Sequence, residues 1–157
     1  MQNSTSKVRV LTGTAMLGAV AAVLMYLEFP IPIMPAFVKL DVSELPALIA
    51  SFAYGPVSGI LVCLIKNLIK LPSTSTAAVG ELFNFVMGAL FVGVAGLIYK
   101  RNKTRKGAIV GALLGALVMA VVSVPYNFFI VYPAYVVMYH LPLDAIIGMY
   151  QAIKPNV

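Results

Sequence analysis

Of the 157 residues in this chain, 61% are hydrophobic and 10% are charged. A soluble domain runs about 45–50% apolar and about 25% charged, and this composition in water would leave large apolar patches exposed. The economical reading is an integral membrane protein folded as one compact all-α domain, a polytopic helical bundle. The net charge of +6 does not point to nucleic acid. Five of the eleven basic residues fall in Lys100-Arg101-Asn102-Lys103-Thr104-Arg105-Lys106, and no basic face with interleaved aromatics exists. A basic loop between two apolar runs is what a cytoplasmic loop is expected to carry.

Residues 1–9 read as a polar cytoplasmic tail with Lys7 and Arg9. A first span is expected over 10–28, about 27–29 Å long and close to the ~30 Å hydrocarbon core. It places Thr14, Gly18 and Ala22 on one line, with Ala15 and Ala19 beside it. Small residues at this spacing admit a close helix, either from this chain or from a partner protein. Pro30, Pro32 and Pro35 exclude a regular helix over 29–36, which reads as an apolar loop at a membrane face.

The loop leads into Lys39-Leu40-Asp41-Val42-Ser43-Glu44-Leu45-Pro46, a polar island holding two of the five acidic residues. Ser43 and Glu44 are expected to cap the next helix, with Pro46 tolerated in its first turn. The run 44–71 is too long for one span, and Gly55-Pro56 divides it into helices 44–54 and 56–71, each short for a full crossing. Charge parity supports the division, because two crossings put both basic segments on the cytoplasmic side and the proline-rich loop outside. Lys66 and Lys70 share a face; either they snorkel to the outer interface, or Lys66 and Asn67 line a polar cavity.

A short polar connection, 72–77, precedes a helix over 78–99 carrying Glu81 and Asn84 near its outer end. Ionisable groups within a span usually face the protein interior or water. Glu81 suits an interfacial place, and Asn84, between Phe83 and Phe85, is the better cavity residue. The fifth helix, 107–129, is expected to kink near Pro125. It bears two ladders, Gly107, Gly111, Gly115 and Ala108, Ala112, Ala116, Ala120, which signal close packing. Tyr126 and Asn127 follow at the outer end. Residues 130–157 read as an outer loop with partial helix, rich in tyrosine, with His140 as interfacial filler. Five crossings leave the two ends on opposite sides, as in a protein lacking its last helix.

No motif for covalent chemistry is present: no Walker lysine loop, no His-Glu-x-x-His, no Gly-x-Ser-x-Gly. Cys63 stands alone, so neither a disulfide within the chain nor a cysteine metal site is available, and no metal site or catalytic residue is assigned. What remains is a ring of polar groups at the outer helix ends: Asp41, Glu44, Lys66, Asn67, Glu81, Asn84 and Asn127. Phe37, Leu40, Phe83, Phe85 and Tyr126 surround them. A mostly apolar pocket with a few placed polar groups is the make-up of a small-molecule site. Amides suit a heterocycle with imide and carbonyl edges.

The ordered set Phe29-Pro-Ile-Pro, Lys39-Leu-Asp-Val-Ser-Glu-Leu-Pro46, Tyr54-Gly-Pro56 with Gly59, Leu64-Ile-Lys-Asn-Leu68, Thr74-Ser-Thr76, Val79-Gly-Glu-Leu82, Asn84-Phe85 and Tyr126-Asn127 closely resembles the riboflavin-specific substrate-binding subunits of energy-coupling factor (ECF) vitamin transporters. The resemblance covers about residues 8 to 140. It implies six helices with both ends cytoplasmic, capture of riboflavin from outside, and delivery with a transmembrane coupling protein and two ATPases. It implies no cofactor; riboflavin is the transported ligand, with flavin mononucleotide a second one left open. It also implies a lid at about 30–43 and a ligand site drawn from Leu40, Asp41, Lys66, Asn67, Glu81, Asn84, Phe85, Tyr126 and Asn127. Ala15, Gly18, Ala19 and Ala22 resemble the docking face for the coupling protein. The family's sixth helix has no counterpart here, so the chain reads as a fragment or as truncated. Two other readings stay open: the same class of subunit for another vitamin, and a membrane scaffold that binds no ligand.

Overall fold

The computed structural model describes residues 2–30, 39–73 and 78–131, together with 133, 134 and 137. Five helices make up almost all of it: α1 (Gln2–Tyr26), α2 (Glu44–Tyr54), α3 (Pro56–Lys70), α4 (Val79–Arg101) and α5 (Arg105–Tyr126). The fold is therefore an all-α bundle. Four segments are long and apolar enough to cross a membrane: Ser6–Tyr26, Pro56–Ser73, Val79–Arg101 and Arg105–Val131. α2, with 11 residues, spans only about 16 Å at the helical rise. α2 is thus a half-length helix, short for a crossing as its expected bounds imply, with Pro46, Ala47, Ala50 and Ser51 turned into the bundle and Leu45 and Ile49 turned outward.

Local chemistry sets the boundaries. Gly55 sits at φ 105°, outside the right-handed helical region, so α2 ends there. Pro56 then opens α3 at the position where its missing N–H costs nothing. The Thr104 hydroxyl accepts from the Gly107 N–H at 3.0 Å and caps α5 two residues before its expected start. α1 begins well ahead of residue 10, because nothing in the polar tail breaks a helix. At Pro125 the helix carries on as a π-helical turn, Asn127–Val131. Such wide turns absorb a missing backbone donor without ending the helix. Two two-residue strands, β1 (Phe29–Pro30) and β2 (Lys39–Leu40), pair antiparallel and join the chain on either side of the proline-rich segment. The sequence reading did not include them. Most of the proline-rich loop, residues 74–77 and His140 with its neighbours lie outside the described residues.

Helix directions follow from the contacts. Tyr54 lies over Gly13, Ile65 over Gly18, and Lys70 donates to the Met25 carbonyl at 3.1 Å. α1 and α3 therefore run parallel. Ser51 donates to the Val92 carbonyl at 2.7 Å, and Phe52 packs on Tyr99 at 4.7 Å, so α2 and α4 ascend and descend together. A Cβ on Gly111 would stand 2.8 Å from the Ala95 carbonyl oxygen, and one on Gly115 2.6 Å from that of Phe91. These two glycines let α5 lie backbone to backbone on α4, the arrangement that small-residue ladders favour in lipid. The apolar core, Ala21, Ala47, Ala50, Val62, Cys63 and Val92, fills the space among α1 to α4.

One end of the bundle gathers the start of α1, the α2–α3 turn and the basic 100–106 segment. The other gathers Glu28, Asp41, Glu44, Lys66, Lys70 and Glu81. Lys7 and the basic loop are thus at the same end.

Candidate ligand-binding site

The polar end is built around a buried lysine. Lys66 lies on α3 with its side chain fully covered, and its ammonium donates to the Ser43 hydroxyl and to Glu44 Oε1, both at 2.6 Å. A charge inside a membrane domain is costly unless paired, and this pairing across α2 and α3 supplies the partner. The snorkelling reading of Lys66 is therefore excluded. Lys70, one turn on, does reach the periphery: it pairs with Glu28 at 2.6 Å and lies over the Tyr26 ring.

Glu44 is the residue the sequence reading undervalued. It was expected to serve the helix start, with Ser43. Instead its carboxylate lies against Gly88 of α4, where a Cβ would be 2.6 Å from Oε1, and it accepts from the Cys63 thiol at 3.6 Å. Ser43 makes no side-chain cap. Asp41 Oδ1 accepts the Ser43 N–H at 2.7 Å and closes the turn that leads into α2. Glu44 keeps its place in the first turn of α2 and reaches the Lys66 ammonium from there. The difference is one of reach: Asp, with the shorter arm, closes a local turn, while the longer Glu crosses to the next helix.

Asn67 is buried beside Lys66. Its Nδ2 donates to the Cys63 carbonyl at 2.8 Å, and its Oδ1 has no partner among the described residues. Asn84 Oδ1 on α4 is likewise buried and unpartnered. Leaving a buried acceptor unmade costs about 1–3 kcal/mol, so each marks a place for a donor. Lys66 also has a third N–H beyond the two it uses.

The remaining expected residues are more dispersed. Leu40 lies in β2, opposite Phe29. Glu81 is buried in the first turn of α4, with interactions of its own. Phe85 is partly buried and packs on the core cluster. Tyr126 stacks at 5.6 Å on Phe83, and the Asn127 amide donates to the Ser123 carbonyl at 2.8 Å. Among the described residues, neither Tyr126 nor Asn127 bonds to the Lys66 cluster; they line the α4–α5 side of the same end.

The expected docking face is divided. Gly18 and Ala22 are buried, Gly18 under Ile65 of α3. They serve packing within the chain and are not available to a partner, which corrects that part of the expectation. Ala15 and Ala19 face outward, because at 100° per residue they lie on the neighbouring stripe.

Comparison with known proteins agrees with this architecture. A family model described as ECF transporter, substrate-specific component, matches residues 9–155. The riboflavin transporter RibU of Staphylococcus aureus is 39% identical over 127 residues, 81% of this chain and 67% of that protein. The riboflavin transporter FmnP of Bacillus subtilis is 37% identical over 139 residues, 87% of this chain and 73% of that one. A solved structure titled as the S component of a bacterial ECF transporter superposes with a TM-score of 0.76 at 35% identity, covering 98% of this chain and 86% of its own. The family and its relatives define a multi-pass membrane transport protein rather than an enzyme. The chain belongs to the substrate-specific components of ECF transporters.

Proposed function

We propose that this chain captures riboflavin from outside a bacterial cell, in the cell membrane, with its N-terminus in the cytoplasm. Delivery then depends on a transmembrane coupling protein and two ATPases, since nothing in the sequence offers an ATP site. The relatives named as riboflavin transporters support the ligand. The observation that carries the reading is the polar set itself. A buried ammonium with a spare N–H lies at the same end of the bundle as two buried amide oxygens that lack donors, those of Asn67 and Asn84. An isoalloxazine ring presents the complement, imide N–H and carbonyl oxygens on one edge, and its apolar face suits Phe85 and Tyr126.

In this reading Lys66, Asn67 and Asn84 supply the directional contacts. Leu40, Asp41, Glu81, Phe85, Tyr126 and Asn127 complete the wall. Ala15 and Ala19 meet the coupling protein, because they are the members of the small-residue stripe left outside the intrachain packing. The basic end, with Lys7, Arg9 and the 100–106 segment, faces the cytoplasm by the positive-inside tendency.

The test is flavin fluorescence in detergent. Purified protein is expected to quench riboflavin at micromolar concentration, and excess thiamine or biotin is expected not to relieve the quenching. Flavin mononucleotide in the same competition decides whether a phosphate is tolerated. Asn84→Ala and Asn127→Ala should each weaken binding about five- to tenfold, the loss of one hydrogen bond. Unchanged affinity in both would defeat this assignment of the site, and displacement by another vitamin would defeat the ligand.

A further inference from the structure

The other end of the bundle holds a recess of about 340 Å³ between the α2–α3 turn and the last turn of α4. Phe52, Tyr54, Pro56 and Tyr99 form its walls, and Lys100 and Lys103 stand at its mouth. The Phe52 and Tyr99 rings pack at 4.7 Å and make a firm apolar floor. Ser51, also in the lining, has its hydroxyl committed to the Val92 carbonyl. The polar capacity left over is two ammonium groups and two phenols.

None of that positive charge is answered from within. Among the described residues, Lys100 and Lys103 make no ion pair, and the four acidic residues there, Glu28, Asp41, Glu44 and Glu81, all lie at the opposite end. The recess is also at a definite depth. α4 ends at Arg101 and α5 begins at Arg105 after long apolar spans, so both lysines sit at headgroup level, where tyrosines also concentrate. Val57, in the lining, and Leu97, on the outer side of α4, are 69% and 57% exposed. Both present apolar surface to lipid near the basic end.

From this we infer a binding seat for an anionic phospholipid. Its phosphate lies between Lys100 and Lys103, its glycerol region against Phe52 and Tyr99, and its acyl chains pass Val57 and Leu97. The apolar exit favours a lipid over a free phosphate, which would need no such path. The seat is independent of the flavin site and can fail without it.

Native mass spectrometry of detergent-released protein, titrated with phosphatidylglycerol or phosphatidylcholine, tests the seat. Wild type should retain phosphatidylglycerol preferentially. Lys100→Ala with Lys103→Ala should lower that retention roughly thirtyfold, the scale of two surface lysines' attraction to anionic lipid, while riboflavin quenching stays at the wild-type level and reports an intact fold. Arg105→Ala with Lys106→Ala, outside the recess, should change retention less than twofold. Equal losses in both double variants would overturn the seat in favour of diffuse attraction. Competition by millimolar glycerol phosphate as strong as that by the lipid would overturn it in favour of a free phosphate. Unchanged lipid retention with lost assembly onto the coupling protein would overturn it in favour of an acidic protein partner.

Discussion

The two ends of this bundle use lysine in opposite ways. At one end Lys66 is fully buried and held by Ser43 and Glu44 at 2.6 Å. At the other, Lys100, Arg101, Lys103, Arg105 and Lys106 are exposed and have no acidic partner among the described residues. The first arrangement fixes a charge in place at a desolvation cost that only an internal carboxylate can offset. The second leaves charge free to meet whatever anion lies at the surface, and salt screens it. A charge that is paired inside specifies geometry, and one that is left unpaired outside specifies an environment.

The contrast can be broken most severely at Lys66. Lys66→Met strands Glu44 without its counter-ion and should cost roughly 3–5 kcal/mol, seen as a large drop in thermal midpoint together with loss of flavin quenching. Adding Glu44→Gln should restore much of the midpoint and none of the quenching. If quenching returned with it, Lys66 would be structural only. Next comes the packing that joins the ends: Gly111→Leu forces α5 off the Ala95 carbonyl and should cost about 3 kcal/mol, whereas exposed Val110→Leu should leave the midpoint unchanged.

A smaller effect is expected at Gly88→Ala, whose methyl would take the place of the Glu44 carboxylate. About 1–2 kcal/mol of stability should be lost, and quenching should weaken because the Lys66 ammonium shifts with its partner. Wild-type affinity there would show that the pair does not position the ligand. The smallest change belongs to the basic end. Lys106→Met should change stability by no more than about 0.5 kcal/mol, and raising salt should affect lipid retention while sparing the Lys66 pair.

Much of the architecture was legible because it is written in local chemistry. Gly55-Pro56 announced the α2–α3 break, Pro125 announced an irregularity in α5, and the glycine ladder announced close packing of α5, though not that α4 is the helix it meets. The parity of basic segments put Lys7 and the 100–106 loop at one end, where the contacts also place them. The parts that were not legible depend on rotation and reach across helices. Thr14, Gly18 and Ala22 differ from Ala15 and Ala19 by a single step of helical phase, and spacing does not say which stripe turns inward. Asp41 and Glu44 stand three positions apart at the same helix start. Only the niche at Gly88, 44 positions further along the chain, decides which of them reaches Lys66. The strand pair at Phe29–Leu40 was equally silent, since two residues carry no alternation to read.

The tight turn between α4 and α5 has a consequence for how the molecule assembles. Only 102–104 separate the two helices, and Thr104 caps the second of them. A helical hairpin with so short a link closes at little entropic cost and forms from neighbouring sequence alone. α1 is different: its parallel partner α3 begins thirty positions after α1 ends, so no adjacent turn can bring the two together. It is held instead by contacts made across the bundle, Gly18 under Ile65 and the Met25 carbonyl against Lys70. The same helix leaves Ala15 and Ala19 exposed along its outer face.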